Sequence, residues 1–245
     1  MDLTERGDGA TRHPWEVQRF DAYRRVLRDH GALGAKRVLD VGAGDGWFSD
    51  RLAEHLTDDA LITCWDINYD DNDLEPQSPG VIRTRERPGR GHDLVLLLDV
   101  LEHIQAPGSL IRSSLGPILE PGTPILVAVP AYQRLFGAHD EALGHFRRYG
   151  RRQFLAEIDD LVKVEEHGSL FTSLLLPRAA MVVAERMRSR PDQPDEHGVG
   201  GWSRGRAVTG AVGGALAADA RTGRLLGRAG VRLPGLSHWA FGVVR

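Results

Sequence analysis

Cysteine is almost absent from the sequence, since Cys64 is the only one. A single cysteine excludes a disulfide bond within the chain, and a chain without disulfides fits a reducing compartment. We therefore expect a cytoplasmic protein in which Cys64 fills a small space in the core. The polar first residues, Met1 to Arg6, agree with this location because they lack the apolar segment of a signal peptide.

Long apolar runs are missing as well. No run reaches the ~18 to 20 residues that a membrane-spanning helix needs, so we expect no transmembrane span. Lysine occurs only at Lys36 and Lys163. A large excess of charge of one sign is also missing, because the formal net charge is −3. This balance gives no electrostatic reason to expect a nucleic-acid partner. At 245 residues the chain has the length of one sizeable domain, which we expect to cover residues 1–245.

What the sequence does contain is a short apolar run followed by three closely spaced glycines. Residues 38–41 are predicted to form a buried strand. Gly42, Gly44 and Gly46 then form a turn that lets a ligand come close to the backbone. Residues 47–56 carry apolar side chains at helical spacing. Strand, glycine loop and helix together are typical of a nucleotide-type cofactor site, in which the free amides at the helix start face the ligand.

The glycine spacing indicates which cofactor this loop binds. A nicotinamide-dependent oxidoreductase would need Gly-x-Gly-x-x-Gly, whereas this loop reads Gly-x-Gly-x-Gly and has Trp47 where the third glycine would stand. Asp40, just before the loop, would repel a pyrophosphate but could pair with an ammonium group. A second predicted strand, residues 61–65, leads about 20 residues further on into Asp66, which suits the hydroxyls of a ribose. A glycine turn in another kind of doubly wound domain is the alternative.

The stretch Asp-x-Gly-x-Gly-x-Gly, from Asp40 to Gly46, resembles motif I of the class I S-adenosylmethionine-dependent methyltransferases. This resemblance implies S-adenosylmethionine as the cofactor and a Rossmann-like, doubly wound α/β fold. It also implies a seven-stranded sheet whose last strand, which the terminal residues 237–245 fit, is antiparallel. The residues expected to contact the cofactor are Asp40, Gly42, Ala43, Gly44, Gly46, Trp47, Asp66, Ile67, Asp99 and Val100.

Two further segments are predicted around this domain. Residues 15–31 read as an N-terminal helix that either lies over the cofactor pocket or only packs on the sheet. Residues 170–236, between the last two strands, form a helical insertion with a break at Pro177 and a Pro/Gly-rich loop over residues 190–205. From Arg178 onward the chain has eleven arginines against five acidic residues, so this basic, apolar insertion fits a substrate cap, a dimer face or a peripheral membrane contact. An ordinary helical cap is the simpler alternative, and the oligomeric state stays open.

Acidic and histidine side chains follow two further predicted strands, and the two segments are expected to meet above the sheet. Asp99, Glu102 and His103 follow the strand predicted over residues 93–100, at the edge of the sheet where ligands bind in open α/β folds. His139 and His145 lie in a dense polar loop after the strand predicted over residues 124–129. Ordinary loops have no physical need for such a mixture of side chains.

The stretch Asp-x-x-Glu-His at Asp99 is similar to the Glu-x-x-Glu-His of small-RNA 2′-O-methyltransferases and of ubiquinone-pathway O-methyltransferases. In the small-RNA enzymes these side chains and a later histidine bind a divalent ion, and the run from His145 to Phe154 matches that later segment in spacing. The resemblance therefore implies a site for Mg²⁺, Mn²⁺ or Zn²⁺. The four expected ligands are Asp99, Glu102, His103 and His145. Asp99 departs from the pattern because its side chain is shorter than the usual glutamate.

A mechanism without metal is the alternative. Glu102 and His103 would then serve the helix start and the pocket wall, and His139 or His145 would be the general base, with Asp99 beside the sulfonium. In either case we expect O-methylation of a small metabolite, such as a natural-product, glycan or lipid intermediate. N-methylation and a non-catalytic partner subunit with the same fold are the other hypotheses.

Overall fold

The computed structural model of the chain describes residues 12–187 and 205–245. Seven strands form its central sheet: β1 (Arg37–Val41), β2 (Leu61–Trp65), β3 (Val81–Thr84), β4 (Leu94–Leu98), β5 (Pro124–Pro130), β6 (Val162–Leu170) and β7 (Ser237–Val244). Their order across the sheet is β3-β2-β1-β4-β5-β7-β6. The chain starts near the middle of the sheet and reverses direction across it between β1 and β4, which is where doubly wound folds open a ligand crevice.

Helices cover both faces of this sheet. They are α1 (Pro14–Asp29), α2 (Trp47–Ala53), α3 (Pro107–Ser109), α4 (Ala138–Ala142), α5 (Arg151–Ile158), α6 (Leu175–Met187) and α7 (Arg206–Arg228). A short 3₁₀ turn, Leu101–His103, follows β4. Within residues 12–187 and 205–245, none of the helices has both the length and the apolar character needed to cross a membrane.

Strand direction agrees with the predicted fold. β1 pairs in parallel with β2 and β4, and β4 pairs in parallel with β5. β7 is antiparallel to both of its neighbours, β5 and β6. All five residues of β4 are buried, as expected for a strand that is covered on both faces of a parallel sheet. The predicted seven-stranded sheet with an antiparallel last strand is confirmed.

Two apolar cores hold the layers together. One lies on the face covered by α1 and α2 and contains Phe20, Tyr23 and Phe48, with Cys64 of β2 as a small buried member. Leu216 of α7 belongs to the same core, and Arg224 and Arg228 of α7 pair with Asp29 at the end of α1. The other core lies under α5 and includes Phe154 and Ile158. The insertion therefore packs against the N-terminal helix through α7.

Two helical segments have unusual features. Residues 107–115 form one α-helical turn followed by a π-helical stretch, Leu110–Leu115, closed by a 2.8 Å bond from Gly116 N to Ile111 O. Glycine and serine in this segment weaken ordinary helix formation. Pro177 does not break a helix, because it lies in the first turn of α6, where backbone amides have no helical partner. Of the loop predicted over residues 190–205, residues 190–204 lie outside the described part of the chain.

We expect Leu97→Ala to lower the free energy of unfolding by about 2–5 kcal/mol, since the Leu97 side chain is fully buried in β4 and its removal leaves a cavity. Urea unfolding followed by circular dichroism measures the change. Leu176→Ala is the matched control, because Leu176 of α6 is 81% exposed, and it should stay within about 0.5 kcal/mol of the wild type. Equal effects of the two variants would contradict the assignment of β4 to the centre of the sheet.

Candidate functional site

The glycine loop is held by contacts from two other strands. Gly42 has a φ of 63°, its N–H donates to Trp65 O at 2.7 Å, and a Cβ placed on it would lie 2.6 Å from Cγ2 of Val100. The N–H of Gly44 donates to Oδ2 of Asp66 at 3.0 Å. The ends of β1, β2 and β4 thus meet at this loop, and only glycine fits the closest approach.

Asp40 is a buried carboxylate at this meeting point. Its Oδ2 accepts a hydrogen bond from Ser49 Oγ at 2.7 Å. Burial raises the pKa of Asp40 to about 6, and the charge of Asp66 acts in the same direction. At neutral pH the group is therefore mostly ionised in a buried position, which favours a cationic ligand beside it.

A small cavity separates this carboxylate from α1. It is lined by Glu16, Arg19, Asp40, Gly42, Ala43, Trp47, Phe48 and Leu98. Glu16 and Arg19 are the contribution of α1, while Phe20 of the same helix is buried in the core. The N-terminal helix therefore packs on the sheet with one side and lines this cavity with the other.

Asp99 follows β4 at the rim of the same cavity. It has a φ of 55°, which few residues other than glycine adopt but which aspartate tolerates. Its Oδ2 accepts a hydrogen bond from Nη1 of Arg19, whose guanidinium carbon lies 4.5 Å from the centre of the Trp15 ring. Sequence reasoning missed Arg19, since nothing in the local pattern of a helix 80 residues away points to Asp99.

The remaining predicted cofactor residues lie along the same edge of the sheet. Ile67, which follows Asp66, is 72% exposed, an unusual position for an isoleucine in a loop. Trp47 begins α2 and contacts the ring of Phe20, with 5.9 Å between the ring centres. The exposed side chain of Ile67, next to Asp66, offers an apolar surface on which a flat base could pack.

A second group of side chains lies after β4 and β5. Among the described residues, Glu102, His103 and His145 bring ligand-type atoms within 4.8 Å of one another. The rings of His103 and His145 are nearly perpendicular, with centres 4.5 Å apart. A hydrogen bond of 2.8 Å from Phe146 N to Glu102 O joins the two segments. Asp99 is not a member of this group, because its carboxylate faces Arg19 instead.

Glu102 is the most unusual member. Its side chain is fully buried, and within the part of the chain that the structure describes neither carboxylate oxygen has a hydrogen-bond partner. Burial raises the pKa of Glu102 well above its ordinary value, and the charge of Asp99 adds to the effect. A buried carboxylate without partners is costly, so it indicates a ligand or a proton at this position.

His145 is oriented by Asp140, which is fully buried. Oδ1 of Asp140 lies 3.0 Å from His145 Nδ1 and 2.7 Å from Nε of Arg148. Oδ2 accepts from Nη2 of Arg178 at 2.6 Å and from Gly137 N at 3.0 Å. Burial alone would raise the pKa of Asp140, but these donors together hold it well below its ordinary value.

The sequence offered a signal for only part of this network. Asp140 lies five residues before His145 in the same polar loop, so a pairing search within that loop could have found it. Arg178 comes from α6, and no local pattern marks it. His139, the other predicted general base, is not in the group of three described above; burial and the charge of Arg178 lower its pKa.

His238 is a further histidine at this edge that sequence reasoning missed. It is buried in β7, and its Nδ1 lies 2.9 Å from Ser169 Oγ of β6. Burial lowers the pKa of His238 to about 4, with a contribution from the charge of Arg151. The antiparallel direction of β7 brings it here, because the start of β7 pairs with the end of β5. A neutral, hydrogen-bonded core histidine accounts for these observations.

A family model described as a methyltransferase domain matches residues 15–180. The chain belongs to this family. A ubiquinone biosynthesis O-methyltransferase from Nitrosococcus oceani is 28% identical over 108 residues, and the match covers 39% of this chain and 44% of that protein. The chain thus aligns with less than half the length of this curated relative. The predicted resemblance to class I S-adenosylmethionine-dependent methyltransferases is confirmed.

Solved structures of other proteins share the fold. An S-adenosylmethionine-dependent methyltransferase from Mesorhizobium loti superposes with a TM-score of 0.51 at 14% identity, covering 92% of this chain and 100% of that one. The cyclase SpnF superposes with a TM-score of 0.53 at 16% identity, covering 98% and 85%. At such identities the likeness concerns the fold alone, so the chemistry has to be argued from the site.

We expect Asp40→Asn to change stability in a pH-dependent way, because the native chain holds the Asp40 proton more tightly than the unfolded chain does. Below about pH 4 this position is protonated in both states of the wild type, so the burial cost of its charge is absent. As pH rises through about 6, the buried carboxylate ionises, and the wild type should lose up to about 3 kcal/mol relative to the variant. Urea unfolding at about pH 4 and about pH 8 measures this difference.

Asp58→Asn is the control for this experiment, since Asp58 is an exposed acid in the turn between α2 and β2. Its stability difference from the wild type should be nearly the same at both pH values. If Asp40→Asn behaved like this control, the conclusion that burial raises the pKa of Asp40 would be wrong.

Proposed function

We propose that this chain is an S-adenosylmethionine-dependent methyltransferase that acts on an oxygen atom of a small molecule. The observation that carries the proposal is the proximity of two sites at one sheet edge. The glycine loop closes on Val100, and Glu102, buried and without a side-chain hydrogen bond to any described residue, follows only two residues later in the chain. A methyl donor and an oxygen acceptor would therefore meet at the end of β4, where positioning alone can supply much of the rate.

In the cofactor half, each proposed role follows from a charge or a hydrogen-bonding group. Asp40 offers a buried negative charge to the ammonium of the methionine moiety. The backbone of Gly42 to Gly46 lets that moiety approach closely, and Asp66 accepts hydrogen bonds from the ribose hydroxyls. Ile67 covers one face of the adenine. Asp99 borders the pocket, and the guanidinium group of Arg19 pairs with its negative charge.

In the acceptor half, the residues fit a divalent cation. Neither carboxylate oxygen of Glu102 has a hydrogen-bond partner in the described ranges, and His103 and His145 add imidazole nitrogens, a donor set that suits Mg²⁺, Mn²⁺ or Zn²⁺. Such an ion, when bound, would lower the pKa of an acceptor hydroxyl. The geometry supports these three ligands rather than the four predicted, since Asp99 is engaged by Arg19.

His145 has a second possible role that needs no ion. As a general base it would take the proton from the acceptor hydroxyl as the methyl group is transferred. Glu102, whose pKa is raised by burial, would then be protonated and would hold the acceptor as a hydrogen-bond donor. Oxygen is favoured over nitrogen in either case, because a neutral amine attacks without help from a base or a metal. The O-methyltransferase name of the curated relative supports the same choice.

The insertion is proposed to govern the choice of acceptor. α6 lies against the loop that carries His145: Glu185 accepts a hydrogen bond from Ala138 N at 3.1 Å, and Arg186 donates to Arg134 O at 3.2 Å. α7 packs against α1 instead. The part of the insertion that would act on the acceptor pocket is therefore α6.

We expect Asp66→Ala to weaken the binding of S-adenosylhomocysteine by about 1.5–3 kcal/mol, the range for hydrogen bonds that involve a charged group. Gly44→Val should abolish binding, because Gly44 has a φ of 57° and a branched side chain there would strain the backbone and fill the loop. Isothermal titration calorimetry measures both. Asp71→Ala is the control, since the side chain of Asp71 is 91% exposed. Unchanged affinity in Asp66→Ala would remove Asp66 from the site, and normal binding in Gly44→Val would remove the glycine loop.

We expect a chelator to reduce turnover while the affinity for S-adenosylhomocysteine stays the same, because the ion would hold the acceptor and not the cofactor. Turnover is measured as release of S-adenosylhomocysteine with a panel of phenol, catechol and amine acceptors. Glu102→Ala and His145→Ala should each reduce it, and the double variant should lose less than the sum of the two effects, since both act through one ion.

The mechanism without metal gives different results in the same assay. Activity would then be indifferent to the chelator and would rise with pH through an imidazole pKa, and His145→Ala would cause the larger loss. Turnover with amines alone would contradict the proposal of an oxygen acceptor. No turnover with any acceptor, despite normal cofactor affinity, would favour a non-catalytic partner subunit.

A further inference from the structure

Four hydrogen bonds use all the acceptor sites of the Asp140 carboxylate. Two donors reach Oδ1 and two reach Oδ2, and an ionised carboxylate has about four sites at which it accepts. The side chain is fully buried, so its role is to act on its neighbours and not on a substrate. Of these neighbours, His145 is the one that belongs to the candidate acceptor site.

We infer that Asp140 is a positioning residue that fixes the tautomer of His145, with the proton on Nδ1 and the lone pair on Nε2. The inference rests on the proposed function only for what Nε2 then does, as a metal ligand or as a base.

The direction of the hydrogen bond decides the tautomer. A carboxylate that is surrounded by two guanidinium groups and a backbone amide stays ionised and has no proton to give. The bond between Oδ1 of Asp140 and Nδ1 of His145, 3.0 Å long, is therefore donated by the imidazole. In a neutral imidazole only one nitrogen carries a proton, so Nε2 is left with its lone pair.

The same carboxylate also fixes where the ring lies. Gly137 N donates to Asp140 and His145 N donates to Asp140 O at 2.9 Å, so the loop is folded around this residue. Arg178 of α6 reaches in from the insertion and also donates to Leu135 O at 3.2 Å. A histidine held at its backbone and at Nδ1 presents Nε2 in one direction. Partners of this kind typically change metal affinity or activity 10–100-fold when they are removed.

The tautomer can be measured on the wild-type protein, without cofactor, metal or acceptor. In a ¹⁵N-labelled sample, long-range ¹H–¹⁵N correlation spectra distinguish protonated from unprotonated ring nitrogens, and His145→Ala identifies the signals. We expect His145 to be protonated at Nδ1 and unprotonated at Nε2 at neutral pH. The opposite tautomer, or a mixture of the two, would overturn the inference.

Asp140→Asn tests whether Asp140 is the cause. The amide offers a single oxygen to four donors, and its NH₂ group competes for an acceptor, so we expect the His145 signals to move toward the Nε2-protonated form. Binding of Mn²⁺, followed by electron paramagnetic resonance, should weaken about 10–100-fold relative to the wild type. Glu141→Gln is the matched control, because Glu141 is the adjacent acid on α4 and is exposed; it should change neither readout.

Each outcome separates this inference from the proposed function. An Asp140→Asn variant that keeps the wild-type tautomer would overturn the inference even if methyl transfer were demonstrated. Absence of methyl transfer would reject the proposed function while leaving the tautomer and its cause intact. If Asp140→Asn failed to fold, the wild-type spectrum would still decide, since it depends on no variant of Asp140.

Discussion

Parallel pairing of β4 with β1 on one side and β5 on the other puts the end of β4 between two loops. The glycine loop follows β1, and the loop with His145 follows β5, so the few residues after Leu98 contact both. The bond from Asp99 N to Ala128 O, 3.0 Å long, continues the ladder one residue beyond β4. Without this pairing Glu102 would have no reason to lie near His145, since more than forty residues separate them in sequence.

Three buried carboxylates at this edge receive different numbers of hydrogen bonds, and their pKa values shift accordingly. Burial raises the pKa of all three. Asp40 has one side-chain donor, Ser49, and its pKa stays raised at about 6. Glu102 lacks a partner among the described residues and its pKa is raised well above its ordinary value. Asp140 has four donors and its pKa is lowered. The first two can respond to a ligand, whereas Asp140 is already satisfied.

The features that could be predicted from the sequence are those with a local pattern. The strands before Gly42 and Asp99 are apolar runs, and the glycine spacing with Asp40 and Asp66 led to the right family. The pairs Arg19–Asp99 and Arg178–Asp140 could not be predicted, because they join residues 80 and 38 positions apart on elements whose packing no short motif encodes. The pattern around Asp99 predicted a group of four ligands, and the structure brings three of these side chains together while Asp99 meets Arg19.

Asp99 and Glu102 are three residues apart, yet they contact different parts of the chain. Asp99 has a left-handed backbone conformation, with a φ of 55°, which turns the chain just before the 3₁₀ turn Leu101–His103 begins. Its side chain is one methylene shorter than a glutamate and meets Arg19 on the α1 side of the sheet edge. Glu102 follows the turn and is tied by its backbone to Phe146 on the other side. Among the described residues, Asp99 is therefore joined to α1 through Arg19, whereas Glu102, His103 and His145 lie close to one another.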